Sequence, residues 1–207
     1  MTQGRFYVIS APSGAGKTSL VKALIEENRQ VGVAISHTTR KQRDGESDGV
    51  NYYFVTKHEF QQMIESGKFI EWANVFGNLY GTSSDAVSEV LAGGQHIVLE
   101  IDWQGAQQIR QKLGYAETIF VFPPSHAALR ERLVHRGQDD PETVENRLSN
   151  ALEELSQYRE FDYLIVNDDF ETALAELKQI VDNQGESLLR DERLPELKRL
   201  LTDLQLI

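Results

Sequence analysis

Residues 11–18 read A-P-S-G-A-G-K-T and have the most recognisable chemistry in this sequence. They match the pattern G-x-x-x-x-G-K-[ST], except that Ala11 replaces the first glycine. In that pattern successive backbone N–H groups converge on phosphate oxygens at a helix N-terminus. The lysine reaches the β- and γ-phosphates, and the final hydroxyl binds Mg²⁺. We therefore predict a phosphate-binding loop that comprises Ala11, Pro12, Ser13, Gly14, Ala15, Gly16, Lys17 and Thr18.

The alternative to a phosphate-binding loop is a glycine-rich turn that binds nothing. Alanine is tolerated in extended backbone and strained at positive φ, so the backbone at Ala11 bears on the choice. The apolar run at 5–10 predicts a buried strand before the loop, and apolar residues at helical spacing in 18–28 predict a helix after it. The order of strand, loop and helix is the one that phosphate binding requires.

A second group of residues, between positions 35 and 54, could hold a phosphate dianion. Arg40 and Arg43 lie three residues apart, and Tyr52 follows them. Two guanidinium groups can each donate a forked pair of hydrogen bonds to phosphate, and a phenol can donate another. The alternative is a solvated run of charges, because three acidic residues between positions 44 and 48 balance the arginines.

Three carboxylates stand in or at the end of predicted strands. Glu71 interrupts the apolar run 69–76, and Glu100 and Asp102 end the run 96–102. Side chains two apart on a strand point the same way, so Glu100 and Asp102 would face the crevice at the carboxyl edge of a sheet, where ligands bind. The alternatives are a structural ion pair for Glu71 and helix capping for the other two.

Two further arginines, Arg136 and Arg147, flank a polar loop that contains Gly137 and Pro141. This composition is typical of a hinged lid, whose arginines could neutralise charge on a transferred phosphoryl group. Arg132 precedes Arg136 by one helical turn and is a candidate ligand for a triphosphate. The alternative is that these are ordinary arginines on a helix surface.

The elements that must position these residues alternate between short apolar strands and helices. That alternation predicts an α/β fold with a mostly parallel sheet covered on both faces. Residues 36–93 break the rhythm with turns, aromatic strands and one short helix, which predicts an inserted α+β lobe. The tail 185–207 has apolar residues at helical spacing, and it could dock on the core, pack against another subunit or fray.

Composition narrows the class of protein. The formal net charge of −11 argues against partners such as nucleic acid and anionic membranes. The absence of cysteine excludes disulfides, and the N-terminus lacks the pattern of a signal peptide. No apolar run is long enough to cross a membrane. We therefore predict a cytoplasmic protein.

Taken together, five segments in order resemble the guanylate kinases, which pass a phosphoryl group from ATP to GMP. The segments are SAPSGAGKTS, SHTTRKQRDGESDGVNYYF, FIEWANVFGNLYGT, LEIDWQGAQQI and RLVHRGQDDPETVENRLSNA. The resemblance covers about residues 4–184. It implies a P-loop kinase core (4–35 and 94–184) with a parallel five-stranded sheet, a GMP-binding lobe at about 36–93 and a helical lid at about 136–147, followed by a helical tail.

The resemblance also implies roles for the residues that recognise GMP. Those that would hold its phosphate are Arg40, Arg43, Tyr52 and Tyr80. Glu71 would accept from guanine N1–H and from the exocyclic amino group, a pair of donors that adenine lacks. Those that would contact the rest of the base are Ser36 and Thr82 at O6, and Glu100 nearby. A buried carboxylate left unpaired by the wrong base would select strongly against AMP.

For ATP, the resemblance implies binding by residues 11–18 together with Arg132 and Asn167. Thr18 would bind Mg²⁺ directly, and Asp102 would bind it through water. The catalytic residues would be Lys17, Arg43, Arg136 and Arg147. A GMP dianion already has a nucleophilic oxygen, so no general base is needed, and positioning and charge neutralisation would supply the rate.

Two rival functions remain open at this stage. A P-loop kinase for another small phosphorylated acceptor would need no guanine-reading Glu71, Ser36 and Thr82. A non-catalytic protein-binding module would be expected to lose Lys17 or the lid arginines. The sequence leaves open the choice between GMP and dGMP and the oligomeric state, including self-association through the tail.

Overall fold

A computed structural model of the chain describes residues 4–75, 77–135 and 141–207. The strands are β1 (Phe6–Ser10), β2 (Val31–Val33), β3 (His37–Thr38), β4 (Tyr53–Phe54), β5 (Phe69–Val75), β6 (Asn78–Ser83), β7 (His96–Glu100), β8 (Glu117–Phe122) and β9 (Tyr163–Val166). The helices are α1 (Lys17–Glu27), α2 (Lys57–Glu65), α3 (Ser84–Ala92), α4 (Trp103–Lys112), α5 (His126–His135), α6 (Pro141–Ser156), α7 (Phe170–Val181) and α8 (Arg190–Asp203).

The larger sheet has five strands in the order β2-β7-β1-β8-β9, and the pairs β2–β7 and β8–β9 are parallel. Every residue of β1 is buried, as are five of the six residues of β8. Continuous apolar strands of this kind are typical of a parallel sheet covered on both faces. The predicted α/β fold with a five-stranded parallel sheet is confirmed.

A second sheet of four strands, in the order β4-β3-β6-β5, lies in the segment predicted as an inserted lobe. Strands β5 and β6 form an antiparallel pair in which Glu71 lies opposite Thr82. Thr56 caps the N-terminus of α2 and forms a capping box with Glu59, and Ser83 caps α3, where its hydroxyl accepts from the N–H of Ala86. This segment therefore has its own strands and helices.

The chain divides into two compact units. The first runs up to Val8 and from Asn28 to Ala116, and the second comprises Ile9–Glu27 and Glu117–Ile207. The first unit contains the four-stranded sheet with α2, α3 and α4, and the second contains α1 and the helices from α5 onward. The predicted limits of the core, the lobe, the lid and the tail remain predictions.

Within the second unit the tail docks on its own chain. Leu189 pairs with Tyr163 of β9, and the tail's Leu197, Leu201 and Leu204 are buried. The carboxylate of Asp203 accepts from the backbone N–H of His126 at the start of α5, over 3.0 Å. Of the three possibilities left open by the sequence, the structure therefore selects docking, while self-association through the tail remains a prediction. None of the described helices is both long and apolar enough to cross a membrane.

Candidate active site

The predicted phosphate-binding loop lies in the second unit, between β1 and the first residue of α1, Lys17. Gly14 and Gly16 have φ of +92° and +90°, the left-handed backbone that glycine adopts without strain. Ala11 is not among the residues with positive φ, so alanine replaces the first glycine of the pattern without backbone strain. The loop therefore has the backbone that the sequence pattern predicts.

Two predicted ATP ligands, Arg132 and Asn167, contact the backbone of this loop at Ala15. The Asn167 amide, in a residue that is 5% exposed, donates to the carbonyl of Ala15 over 2.7 Å. Arg132 donates to the same carbonyl over 3.5 Å and to the carbonyl of Asn167 over 3.0 Å. A methyl group added at Gly16 would collide with the Asn167 amide nitrogen. In this structure both side chains hold the loop backbone in place.

A third contact to the loop involves a residue that the sequence analysis missed. The carboxylate of Glu154, in α6, accepts from the backbone N–H of Ser13 over 3.1 Å. The two residues are 141 positions apart, and an acidic side chain is an unexpected neighbour for a loop that binds anions. No sequence signal could have identified it, because the contact depends on where α6 packs.

The structure does not describe the side chains of the two arginines predicted for the lid. Arg136 lies outside the described residues. Arg147 belongs to α6, but its side chain also lies outside the described part of the structure. Their predicted roles therefore stay predictions.

The first unit brings together most of the residues predicted to bind a phosphate dianion. The guanidinium of Arg40 lies 5.5 Å from the ring centroid of Tyr52, and the rings of Tyr52 and Tyr80 are 5.9 Å apart. Burial raises the pKa of Tyr52, so its phenol remains a neutral donor. Arg43 differs in that its side chain is exposed; its backbone N–H donates to Glu46 over 2.8 Å, and its charge helps to lower the pKa of Glu46.

Glu46 holds the Arg40 guanidinium in a bidentate pair, with N–O distances of 2.8 and 3.0 Å. This pair matches part of the alternative considered above, in which nearby acidic residues balance the arginines. It also fixes the plane of the guanidinium, because a forked contact leaves little rotational freedom. The arginine is therefore already oriented before an anion binds.

A chain of hydrogen bonds ends at the carboxylate of Glu71. The hydroxyl of Thr82 donates to Glu71 Oε1 over 2.6 Å, and the hydroxyls of Ser36 and Thr82 are 3.0 Å apart. Each hydroxyl has one proton, so Ser36 must donate to Thr82 while Thr82 donates to an ionised Glu71. The alternative of an ion pair finds no support among the described salt bridges, in which Glu71 takes no part.

Glu71 is only 2% exposed, and this burial raises the pKa of its carboxyl to about 7. The hydrogen bond from Thr82 opposes that shift, and the negative charge of Asp102 adds to it. The carboxyl is therefore poised to change protonation near neutral pH.

Glu100 is the last residue of β7, and Asp102 follows it; their predicted roles at guanine and at Mg²⁺ stay predictions. The charge of Glu100 contributes to the raised pKa of Tyr52, after the larger effect of burial. Asp102 caps α4, where its Oδ1 accepts from the N–H of Gly105 over 2.8 Å. Helix capping was the alternative to a metal role for Asp102, and the structure shows that this cap is formed.

Comparison with known proteins gives a consistent result. A family model described as guanylate kinase matches residues 3–184. The guanylate kinase of Alkalilimnicola ehrlichii is 51% identical over 97% of this chain and 98% of that protein, and that of Alcanivorax borkumensis is 56% identical over 87% of each. A crystal structure of guanylate kinase from Anaplasma phagocytophilum is 30% identical, with a TM-score of 0.75 over 100% of this chain and 98% of that chain.

The raised pKa of the Glu71 carboxyl predicts how the stability of the protein changes with pH. Its pKa rises from 4.5 to about 7 on folding, so its ionisation opposes folding. The cost is absent below pH 4.5, grows between pH 4.5 and 7 and is complete above pH 7, where it is on the order of 3 kcal/mol at 1.36 kcal/mol per unit. We expect Glu71→Gln to raise the free energy of unfolding at pH 8 and to have little effect at pH 4.5, as measured by urea denaturation.

The control for this measurement is Glu153→Gln, which changes an exposed glutamate of α6. It should leave the difference between pH 4.5 and pH 8 unaltered. A Glu71→Gln variant with the same pH dependence as the wild-type protein would show that the buried carboxyl has an ordinary pKa.

Proposed function

Because the chain belongs to the guanylate kinase family, we propose that it transfers the γ-phosphoryl group of ATP to GMP, with ADP and GDP as products. The observation that carries this proposal is the buried Glu71 carboxylate at the end of a hydrogen-bond chain, a group suited to a ligand edge with two donors. The same reaction on dGMP is part of the proposal, since no residue is assigned to the ribose 2′-hydroxyl. The activity would serve purine nucleotide synthesis and GMP recycling.

Recognition of guanine begins with the carboxylate. Guanine N1–H and the exocyclic amino group would donate to Glu71, and these donors would take over from the hydroxyl of Thr82. The freed hydroxyls of Thr82 and Ser36 could then donate to O6. Adenine has an amino group where guanine has O6 and has no proton on N1, so AMP would not supply this pair of donors, and the buried carboxylate would keep only the hydrogen bond from Thr82.

The GMP phosphate would be bound by the arginine and tyrosine side chains that come together in the first unit. Arg40 is already oriented by Glu46, and Tyr52 and Tyr80 lie beside it. Arg43 is exposed and would have to turn toward the phosphate. We propose that Arg43 also helps to neutralise the transferred phosphoryl group, a role that an exposed side chain can fulfil once both substrates are bound.

ATP would be bound by the loop 11–18 of the second unit. Lys17 supplies charge to the β- and γ-phosphates, and the loop N–H groups bind phosphate oxygens at the N-terminus of α1. Arg136 and Arg147 are proposed to neutralise the γ-phosphoryl group as it is transferred. Arg132 and Asn167 support ATP binding by holding the loop through the Ala15 carbonyl.

The proposed metal cofactor is Mg²⁺. In the described part of the chain, no three His, Asp or Glu side chains form a cluster that could hold a metal. That fits Mg²⁺, which nucleotide enzymes bind through one or two protein groups, substrate phosphates and water. Thr18, an exposed residue, would bind the ion directly through its hydroxyl, and Asp102 would act through water. The ion would neutralise phosphate charge during transfer.

The proposed setting is the cytoplasm, with small molecules as the substrates. The acidic chain has no large positive field to attract nucleic acid or anionic lipid. Self-association through the tail is a further prediction, which light scattering tests.

An acceptor panel tests the proposed reaction. With ATP and Mg²⁺, ADP release should require GMP or dGMP and be absent with AMP, CMP, UMP or no acceptor. Lys17→Ala should lower kcat by about 100-fold or more, because it removes a charge that stabilises the transferred group. GMP binding by that variant, measured by calorimetry, should stay unchanged. ADP release without an acceptor would indicate an ATPase, and GMP binding without turnover by the wild-type protein would indicate a binding module.

Glu154 provides a second prediction, about the ATP-binding loop. Glu154→Ala removes the acceptor for the N–H of Ser13 and should raise KM for ATP about tenfold, with KM for GMP unchanged. Glu154→Gln keeps an oxygen acceptor and should stay within about threefold of the wild type. The neighbouring exposed Glu153→Ala is the matched control. If both substitutions of Glu154 lowered KM for ATP, the residue would act by charge repulsion rather than by holding the loop.

A further inference from the structure

The first turn of α4 lies directly against the carboxylate of Glu71. A methyl group added at Gly105 would be 2.6 Å from Glu71 Oε2 and 3.1 Å from Cδ1 of Ile101. The first distance is too short for any real contact between a methyl group and a carboxylate oxygen. The carboxylate therefore occupies space that any other residue at position 105 would fill.

The backbone gives no other reason for a glycine at this position. Gly105 is not among the glycines with positive φ, and its N–H is bonded to Asp102 Oδ1 as in an ordinary capped helix. Glycine has a lower helix propensity than alanine, so helix formation does not favour glycine here. The requirement for glycine comes from the side chains that an added methyl group would meet, of which the Glu71 carboxylate is the nearest.

Strand β5 cannot easily move aside to make room for a larger residue. The side chain of Gln108 accepts from the N–H of Trp72 over 3.2 Å and donates to its carbonyl over 2.6 Å. Lys112 donates to the carbonyl of Ile70. Both flanking residues of Glu71 are thus tied to α4, so an added methyl group would displace the carboxylate itself.

The carboxylate that an added methyl group would displace is also the acceptor of the Thr82 hydroxyl. That 2.6 Å hydrogen bond to Glu71 Oε1 lowers the pKa of Glu71, against the larger effect of burial. A displaced carboxylate would lose both its position opposite Thr82 and this support for its charged form.

We propose that Gly105 is a specificity-determining residue for the nucleobase. The missing side chain lets the Glu71 carboxylate lie where it can accept two hydrogen bonds from guanine. This inference rests on the proposed function. It adds that the discrimination between guanine and a base with fewer donors depends on a residue that does not itself touch the base.

Gly105→Ala tests the proposal through the ratio of GMP to IMP as acceptors, since IMP lacks the exocyclic amino group. We expect KM for GMP to rise about tenfold to a hundredfold and KM for IMP to rise less, so that the preference for GMP narrows. KM for ATP should not change. Gly114→Ala is the matched control, because Gly114 is exposed and has nothing within 4 Å of an added methyl group.

A double-mutant cycle separates this role from a general effect on folding. Glu71→Asp shortens the side chain and makes room for the methyl group, so Gly105→Ala should cost much less in that background. Additive effects, or an unchanged GMP to IMP ratio in Gly105→Ala, would overturn the proposal. If Gly105→Ala did not fold while the double variant did, the steric conflict with Glu71 would be supported directly.

A crystal structure of Gly105→Ala tests the proposal without relying on the enzymatic reaction. The proposal expects the Glu71 carboxylate to have left Thr82, and a carboxylate that kept its 2.6 Å contact would overturn it. If the wild-type protein failed to phosphorylate GMP, the proposed function would fall. The position of Glu71 in the variant would still decide the structural basis of the inference.

Discussion

The burial of one carboxylate organises the first unit of this protein. Glu71 is almost inaccessible to solvent, and its ionisation opposes folding above pH 4.5. A group that weakens the fold is tolerated where its remaining hydrogen-bonding capacity serves a ligand, and in the proposed function guanine would supply two donors to it. Selectivity against adenine would then follow from the same burial, since a base without that pair of donors would leave the buried charge poorly compensated.

Strand β6 and helix α4 both accommodate the buried carboxylate of Glu71. Strand β6 places Thr82 opposite Glu71, where its hydroxyl satisfies one carboxylate oxygen before the base binds. Helix α4 approaches so closely that it carries glycine at 105, and its side chains hold the strand on either side of Glu71.

The predicted phosphate-binding loop of the second unit is organised differently. Its backbone groups are held by Arg132 of α5, by Glu154 of α6 and by Asn167, which directly follows β9.

Much of this could be predicted from sequence because the signals are local. The loop, the strand before it and the helix after it are contiguous, and Glu71 stands out as a charge in an apolar strand. The fold class followed from the alternation of strands and helices. The remaining features depend on packing between distant residues. The pairing of Ser13 with Glu154, the need for glycine at 105 and the bond from Asn167 to Ala15 leave no periodic or compositional trace. The role of Arg132 and Asn167 as ligands of ATP stays a prediction, whereas the structure shows that both donate to the carbonyl of Ala15 in the loop.

The most direct test of this account is the pKa of Glu71, measured by NMR titration of protein labelled with ¹³C at the glutamate carboxyl carbons. The Glu71 signal can be assigned by its absence from Glu71→Gln. In the ligand-free protein the carboxyl should titrate near pH 7, and saturation with GMP should shift its pKa well below that value, because two donors stabilise the ionised form. A pKa near 4.5 without ligand, or one that GMP leaves unchanged, would contradict the central claim that a buried carboxylate is held ready for guanine.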